Sequence, residues 1–215
     1  MNNKTITVNG VGTASVKPDL IILNMSVDTL EYDYSTAINQ ATEDINTLKQ
    51  ALIAVGYKAD DLKTTDFSVN TNYESYKDER DVWQQRFNGY KCTHRLKLEF
   101  DLNMTELNKV LNAILSSSVT PVFSISFSVK DTASVAEQLL VDAVDNATRK
   151  ADILAKASKV KLGAIINIDY SWKELHLYSD MRIAEPICYA SDAVIDVTPD
   201  DIKASDTVTI IWEIY

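Results

Sequence analysis

Cys92-x-His94 is the pair in this chain best suited to chemistry, since a strand would hold its thiol and imidazole on one face as half of a metal site. Leu96 and Leu98 continue that face, however, so a core cysteine beside a partly buried histidine is the simpler reading. His176 and Cys188 stand twelve residues apart, without the paired spacing of zinc ligands, and no metal is expected. Gly10-x-Gly12 lacks the third glycine and the helix that a dinucleotide loop needs, and it predicts a bulged or bent strand instead. Neither a Gly-x-x-x-x-Gly-Lys phosphate loop nor a Gly-x-Ser-x-Gly elbow occurs. The acidic pairs Asp60-Asp61 and Asp200-Asp201 fall where turns and helix caps use carboxylates, and nothing selects partners for paired-carboxylate hydrolysis. These residues point away from an enzyme and from any metal or organic cofactor.

The composition narrows the partners. Across 215 residues the net charge is −10, and no window gathers the basic cluster that nucleic acid or an anionic membrane would require. A hydrophobic fraction of 46% is ordinary for a globular chain. Runs such as Leu20-Ile21-Ile22-Leu23 are far too short for a transmembrane helix. Met1-Asn2-Asn3-Lys4 leads straight into strand-like alternation with no apolar leader. The expectation is a cytoplasmic protein as written, or a periplasmic or envelope protein whose leader has been removed. Cys92 and Cys188 leave one disulfide and two free thiols both open.

Hydrophobic periodicity predicts the elements. Ile6 and Val8, and then Ile21, Leu23, Met25 and Val27, alternate as two strands. Ile38, Ala41, Ile45, Leu48, Leu52 and Val55 recur at helical spacing and stop at Gly56, a left-handed end residue. A strand near 64–73, a polar crest at 74–86 and a returning strand at 90–102 follow. Asn103 with Glu106 predicts the N-cap of a short helix. Phe123, Ile125, Phe127 and Val129 alternate with serines as a strand. A long helix over 132–159 carries Ala143, Ala147, Ala151 and Ala155 every four residues, a close-packing face. Strands at Ile166–Tyr170 and Val208–Ile214 flank an irregular stretch at 173–205, whose apolar residues Leu175, Leu177, Tyr178, Met181, Ile183, Ile187 and Tyr189 need a surface to cover.

The order β-β-α-β-β-α-β-α-β-loop-β predicts an α+β fold, antiparallel sheet with helices packed on one face. With no Gly/Ser- or Pro-rich linker, 4–215 reads as one domain, a division into lobes at about 4–102 and 103–215 being the alternative. The crest mixes aromatics with charges of both signs. Tyr73, Tyr76, Arg80, Trp83 and Arg86 are therefore the candidate interface, of the types enriched where proteins meet.

Several stations along the chain resemble one family. Ile6-x-Val8-x-Gly10-x-Gly12 with Val16 and Pro18-Asp19, Asp61-Leu62-Lys63-Thr64, Asn88-Gly89-Tyr90, the alanine helix and Val197-Thr198-Pro199-Asp200 stand in the order found in SIMPL-domain (DUF541) proteins. Ser117-Ser118 departs from the Gly-Ala step common there, and the export signal of most members is missing. The resemblance implies a self-associating protein, usually of the cell envelope, linked to stress responses or protein binding. It is similar to the bacterial periplasmic or outer-membrane-associated immunogenic proteins of that family. No agreed catalytic residues can be carried across. The expectation is a non-enzymatic scaffold that forms homo-oligomers and binds protein partners; modulation of signalling proteins and an unrecognised hydrolase are the alternatives.

Overall fold

Alternation of apolar and polar residues sets the strands of this computed structural model, which describes residues 4–170, 177–181 and 197–215. His176, Cys188, Leu175, Ile183, Ile187 and Tyr189, on which the long connection was read, lie outside the described residues. The elements are β1 (Thr5–Val16), β2 (Leu20–Glu31), α1 (Tyr34–Ala54), β3 (Lys63–Lys77), β4 (Trp83–Asp101), α2 (Met104–Leu115), β5 (Val122–Ser128), α3 (Thr132–Ala157), β6 (Leu162–Asp169), β7 (Tyr178–Met181) and β8 (Ile202–Ile214). This is the expected α+β order with one added short strand, β7, inside the stretch read as irregular. The strands form a three-stranded sheet, β1-β8-β6, and a five-stranded sheet, β3-β4-β2-β5-β7.

The chain divides into two compact units. One comprises Met1–Asp19, Ser128–Ser179 and Pro199–Tyr215, the other Leu20–Phe127 and Asp180–Thr198. The units are interleaved along the sequence rather than consecutive.

In the second unit, Ile21, Leu23, Met25 and Val27 of β2 pair with β4 in unbroken antiparallel register from Leu20↔Asp101 to Glu31↔Tyr90. Their inner face packs with Leu96 and Leu98 against Ile45, Leu48 and Leu52 of α1 and Leu107, Val110 and Ile114 of α2. Each apolar side chain fully buried in such a core contributes about 1.5–3 kcal/mol. The Asp33 carboxylate caps α1 by accepting from the Thr36 amide, and Asn103 caps α2 from the Thr105 and Glu106 amides. Gly56, at φ 109°, ends α1 as the spacing predicts: its amide reaches the Ile53 carbonyl and that of Tyr57 the Leu52 carbonyl.

In the first unit, β1 pairs with β8 without interruption from Thr5↔Glu213 to Val16↔Ile202. The register runs through Gly10 and Gly12 without a shift, so neither glycine marks a bulge. A Cβ at Gly10 would lie 1.9 Å from the Ala143 carbonyl oxygen, and one at Gly12 equally close to that of Leu139. The glycines are there because the backbone of α3 lies directly on the strand. The alanine seam makes the matching surface: Ala143, Ala147 and Ala151 are wholly buried, so the close-packing face is as expected.

α3 also shields the outer edge of β1. Asp142 accepts from the Thr13 amide (2.9 Å), Asn146 from the Val11 amide (3.2 Å), and the Lys150 ammonium donates to the Asn9 carbonyl (3.0 Å). These three residues, spaced four apart, satisfy edge groups that would otherwise be open to another strand. The serines of β5 are partly covered: Ser126 and Ser128 are buried, and the Ser128 hydroxyl donates to the Leu177 carbonyl.

Candidate interaction site

The crest expected at 74–86 is mostly strand. β3 and β4 stay paired from Tyr73↔Phe87 out to Lys77↔Trp83, leaving only residues 78–82 as the turn. Polarity had made these residues read as loop, but a two-stranded ribbon with no core to cover has no reason to alternate apolar and polar residues. β2 leaves β4 at Tyr90, so beyond that point each ribbon strand has only the other for a neighbour among the described residues.

The turn is held by its first residue. The Asp78 carboxylate accepts from the Arg80 amide (2.9 Å) and the Val82 amide (3.0 Å), while the Asp78 amide donates to the Val82 carbonyl. Those backbone donors hold the Asp78 carboxyl below its usual range. Asp81 takes the left-handed conformation, φ 59°, that a three-residue hairpin loop needs, and the Lys77 ammonium pairs with it at 2.6 Å.

Strand alternation then divides the anchors. Tyr73, Phe87, Lys77 and Trp83 occupy one face of the ribbon, and Glu74, Arg86 and Tyr76 the other. On the first face the Lys77 ammonium sits over the Trp83 ring at 5.5 Å. On the second the Arg86 guanidinium lies over Tyr76 at 5.4 Å and pairs with Glu74, which holds its charge. Arg80 sits at the tip. Of the five candidates, Trp83 (with Lys77) and Tyr76 with Arg86 thus form two small aromatic–cation clusters back to back rather than one patch, while Tyr73 packs on Phe87. Trp83 remains 66% exposed and Tyr73 55%.

At the ribbon's base lies an aromatic cluster that sequence reading missed. Phe87 meets Tyr32, Tyr73 and Tyr90 edge-on at 6.3, 5.9 and 5.4 Å, and Tyr90 meets Tyr34 at 5.4 Å. The signal was present in Tyr32-x-Tyr34 directly after β2 and in Phe87 and Tyr90 around Gly89. Gly89 adopts φ 103°, and a Cβ there would stand 2.5 Å from the Glu31 carbonyl oxygen, so only glycine lets β2 pass at this crossing.

Cys92 is fully buried beside Ala37 and Ala41, and burial pushes its thiol up. His94 bonds Thr64 through Nε2 at 2.9 Å, rests on Phe67 at 5.1 Å and leaves Nδ1 buried without a partner. Burial, and then the Lys49 charge, lower its pKa against the opposing pull of Asp66. Among the described residues no group of three or more His, Cys, Asp or Glu is placed to hold a metal. Asp61 accepts from the Lys58 amide in the turn before β3, the role expected of that pair, whereas Asp200 accepts from the adjacent Asp201 amide in a stretch that is neither turn nor helix cap. A shallow hollow of about 350 Å³ is lined by Asn24, Ser26, Thr65, Arg95 and Ser124 together with Met25, Leu96, Val122 and Phe123, a mixed surface more apolar than polar. No helix among the described residues is long and apolar enough to cross a membrane.

Over 163 residues the chain is 24% identical to the 26 kDa periplasmic immunogenic protein of Brucella melitensis, covering 76% of this chain and 65% of that protein. It is 22% identical over 165 residues to the uncharacterized protein YggE of Escherichia coli K12, covering 77% and 65%. To YggE of Edwardsiella ictaluri it is 21% identical over 207 residues, covering 94% and 84%. The match thus spans 65% of the length of the first two relatives. The family model for SIMPL, a protein of unknown function (DUF541), matches residues 6–212, and the chain belongs to the SIMPL family.

Proposed function

We propose that this protein acts without catalysis, as a self-associating binding scaffold whose β3–β4 ribbon meets another subunit or a protein partner. The observation that carries the reading is the ribbon itself: two strands extending past the sheet, with Trp83, Tyr73 and Tyr76 exposed beside Arg86 and Lys77. Aromatic and arginine side chains bury large area on association while their polar ends stay satisfied. Pairing within the ribbon fixes these side chains before a partner arrives, which lowers the entropy cost of binding. A relative named for the periplasm supports a cell-envelope location as part of the same proposal.

Light scattering over a range of concentrations, on the wild type and on the Tyr76→Ala, Trp83→Ala double variant, tests the self-association. The wild type should exceed the monomer mass and the variant should lose most of that excess. A wild type that stays monomeric throughout sinks the self-association. An assembly that survives the double substitution moves the interface off the ribbon.

A further inference from the structure

The three-stranded sheet has two edges, and they are treated oppositely. The β1 edge is closed by Asp142, Asn146 and Lys150 of α3. The β6 edge has no strand partner among the described residues, and residues 164–169 are exposed. Ile165, Ile166 and Ile168 are 48%, 50% and 53% exposed. Edge strands are ordinarily defended by charge, bulges or cover. β3, at one edge of the other sheet, follows that rule with Lys63, Asp66 and Glu74 and two register shifts. β6 also has two register shifts against β8, yet between Lys161 and Asp169 it carries no charge at all.

We propose that the free edge of β6 pairs antiparallel with the same edge of a second copy, about a two-fold axis at Ile165. The sequence is self-complementary in that register. Lys161 of one copy stands opposite Asp169 of the other at both ends, Leu162 opposite Ile168, Ala164 opposite Ile166, and Ile165 opposite itself. A two-fold contact requires such matching, because one patch must complement its own copy. Placing the lysine at one end of the strand and the aspartate at the other satisfies it, whereas two like charges at the ends would repel. Pairing would join two three-stranded sheets into one of six strands and cover isoleucines that now face water. This surface is separate from the ribbon, so a chain that uses both can build assemblies larger than a dimer.

Sedimentation velocity over a concentration series decides it, with far-UV circular dichroism and the melting temperature confirming that each variant is folded. Ile166→Lys with Ile168→Lys should abolish the edge dimer while leaving any species held by the ribbon. Lys161→Asp alone should weaken dimerisation by about tenfold, because both end pairs become repulsive. Adding Asp169→Lys to Lys161→Asp should restore it. Wild-type protein that is monomeric at every concentration overturns both this inference and the ribbon's self-association. A wild-type assembly that all edge variants share overturns the edge alone, as does failure of the double reversal to rescue the single one. Loss of association only in Tyr76→Ala, Trp83→Ala likewise leaves the ribbon and removes the edge.

Discussion

Gly10 and Gly12 let β1 and α3 approach closely, and the contact is backbone on backbone. No rotamer change relieves a Cβ placed 1.9 Å from a carbonyl oxygen; the helix itself must retreat. Gly12→Ala should therefore cost about 3 kcal/mol, read as a lowered urea midpoint at unchanged slope. His94 gives a second prediction, in pH. Its imidazole is held below the ordinary value by burial first and by Lys49 second. The unfolded chain then binds the proton more readily than the folded one, so stability rises with pH through this group. Lowering the pH through about 6.5, the ordinary histidine value, should progressively remove stability until the folded imidazole also protonates. Thermal melts between about pH 7 and pH 5 should show a smaller decline in His94→Gln than in the wild type. Equal declines would mean that other groups set the acid sensitivity.

As an element, α3 does three jobs along its length. Its alanine seam accepts β1, its neighbouring polar row closes the β1 edge, and its end depends on a strained residue. Ala147→Leu should destabilise by roughly 1–3 kcal/mol, since the Cβ of Ala147 already lies against the Gly10 position and the added atoms have no space. Unchanged denaturation of that variant would show that the helix can shift off the strand. Beyond Ser158 the helix ends with Lys159 at φ 58°, its amide bonded to the Lys156 carbonyl and that of Val160 to the Ala155 carbonyl. Glycine is the residue suited to that left-handed position, so Lys159→Gly should stabilise the protein by about 1 kcal/mol. A fall in melting temperature for Lys159→Gly would contradict that account.

Across the whole molecule a charge of −10 opposes any assembly of identical copies. The repulsion acts over a Debye length of about 30 Å at 0.01 M salt and about 8 Å at 0.15 M, whereas apolar edge and ribbon contacts are short-ranged. Association should therefore strengthen between low and moderate ionic strength, seen as a larger average mass at fixed concentration. The opposite trend would mean that exposed ion pairs, including Lys161 with Asp169, dominate the contact.

Periodicity in the sequence determined the elements and their inner faces. The β2 strand, the α1 stripe ending at Gly56, the Asn103 cap and the alanine seam are each fixed by residues within a turn or a strand of one another, because local sterics and burial of one face suffice to specify them. The SIMPL resemblance drew on the same short stations. Tertiary structure alone decided what long-range contact decides. Gly10 and Gly12 carry no local sign that a helix more than a hundred residues away will lie on them, so a bulge was the local reading. The ribbon was read as a loop because its strands are stabilised by each other rather than by a core, and alternation is the signature of a core. Interleaved units are invisible in chain order because they arise when β1 and β8, from opposite ends of the sequence, pair with one another. The unequal fates of the β1 and β6 edges have the same origin: an edge is defined only once every strand has found its neighbour.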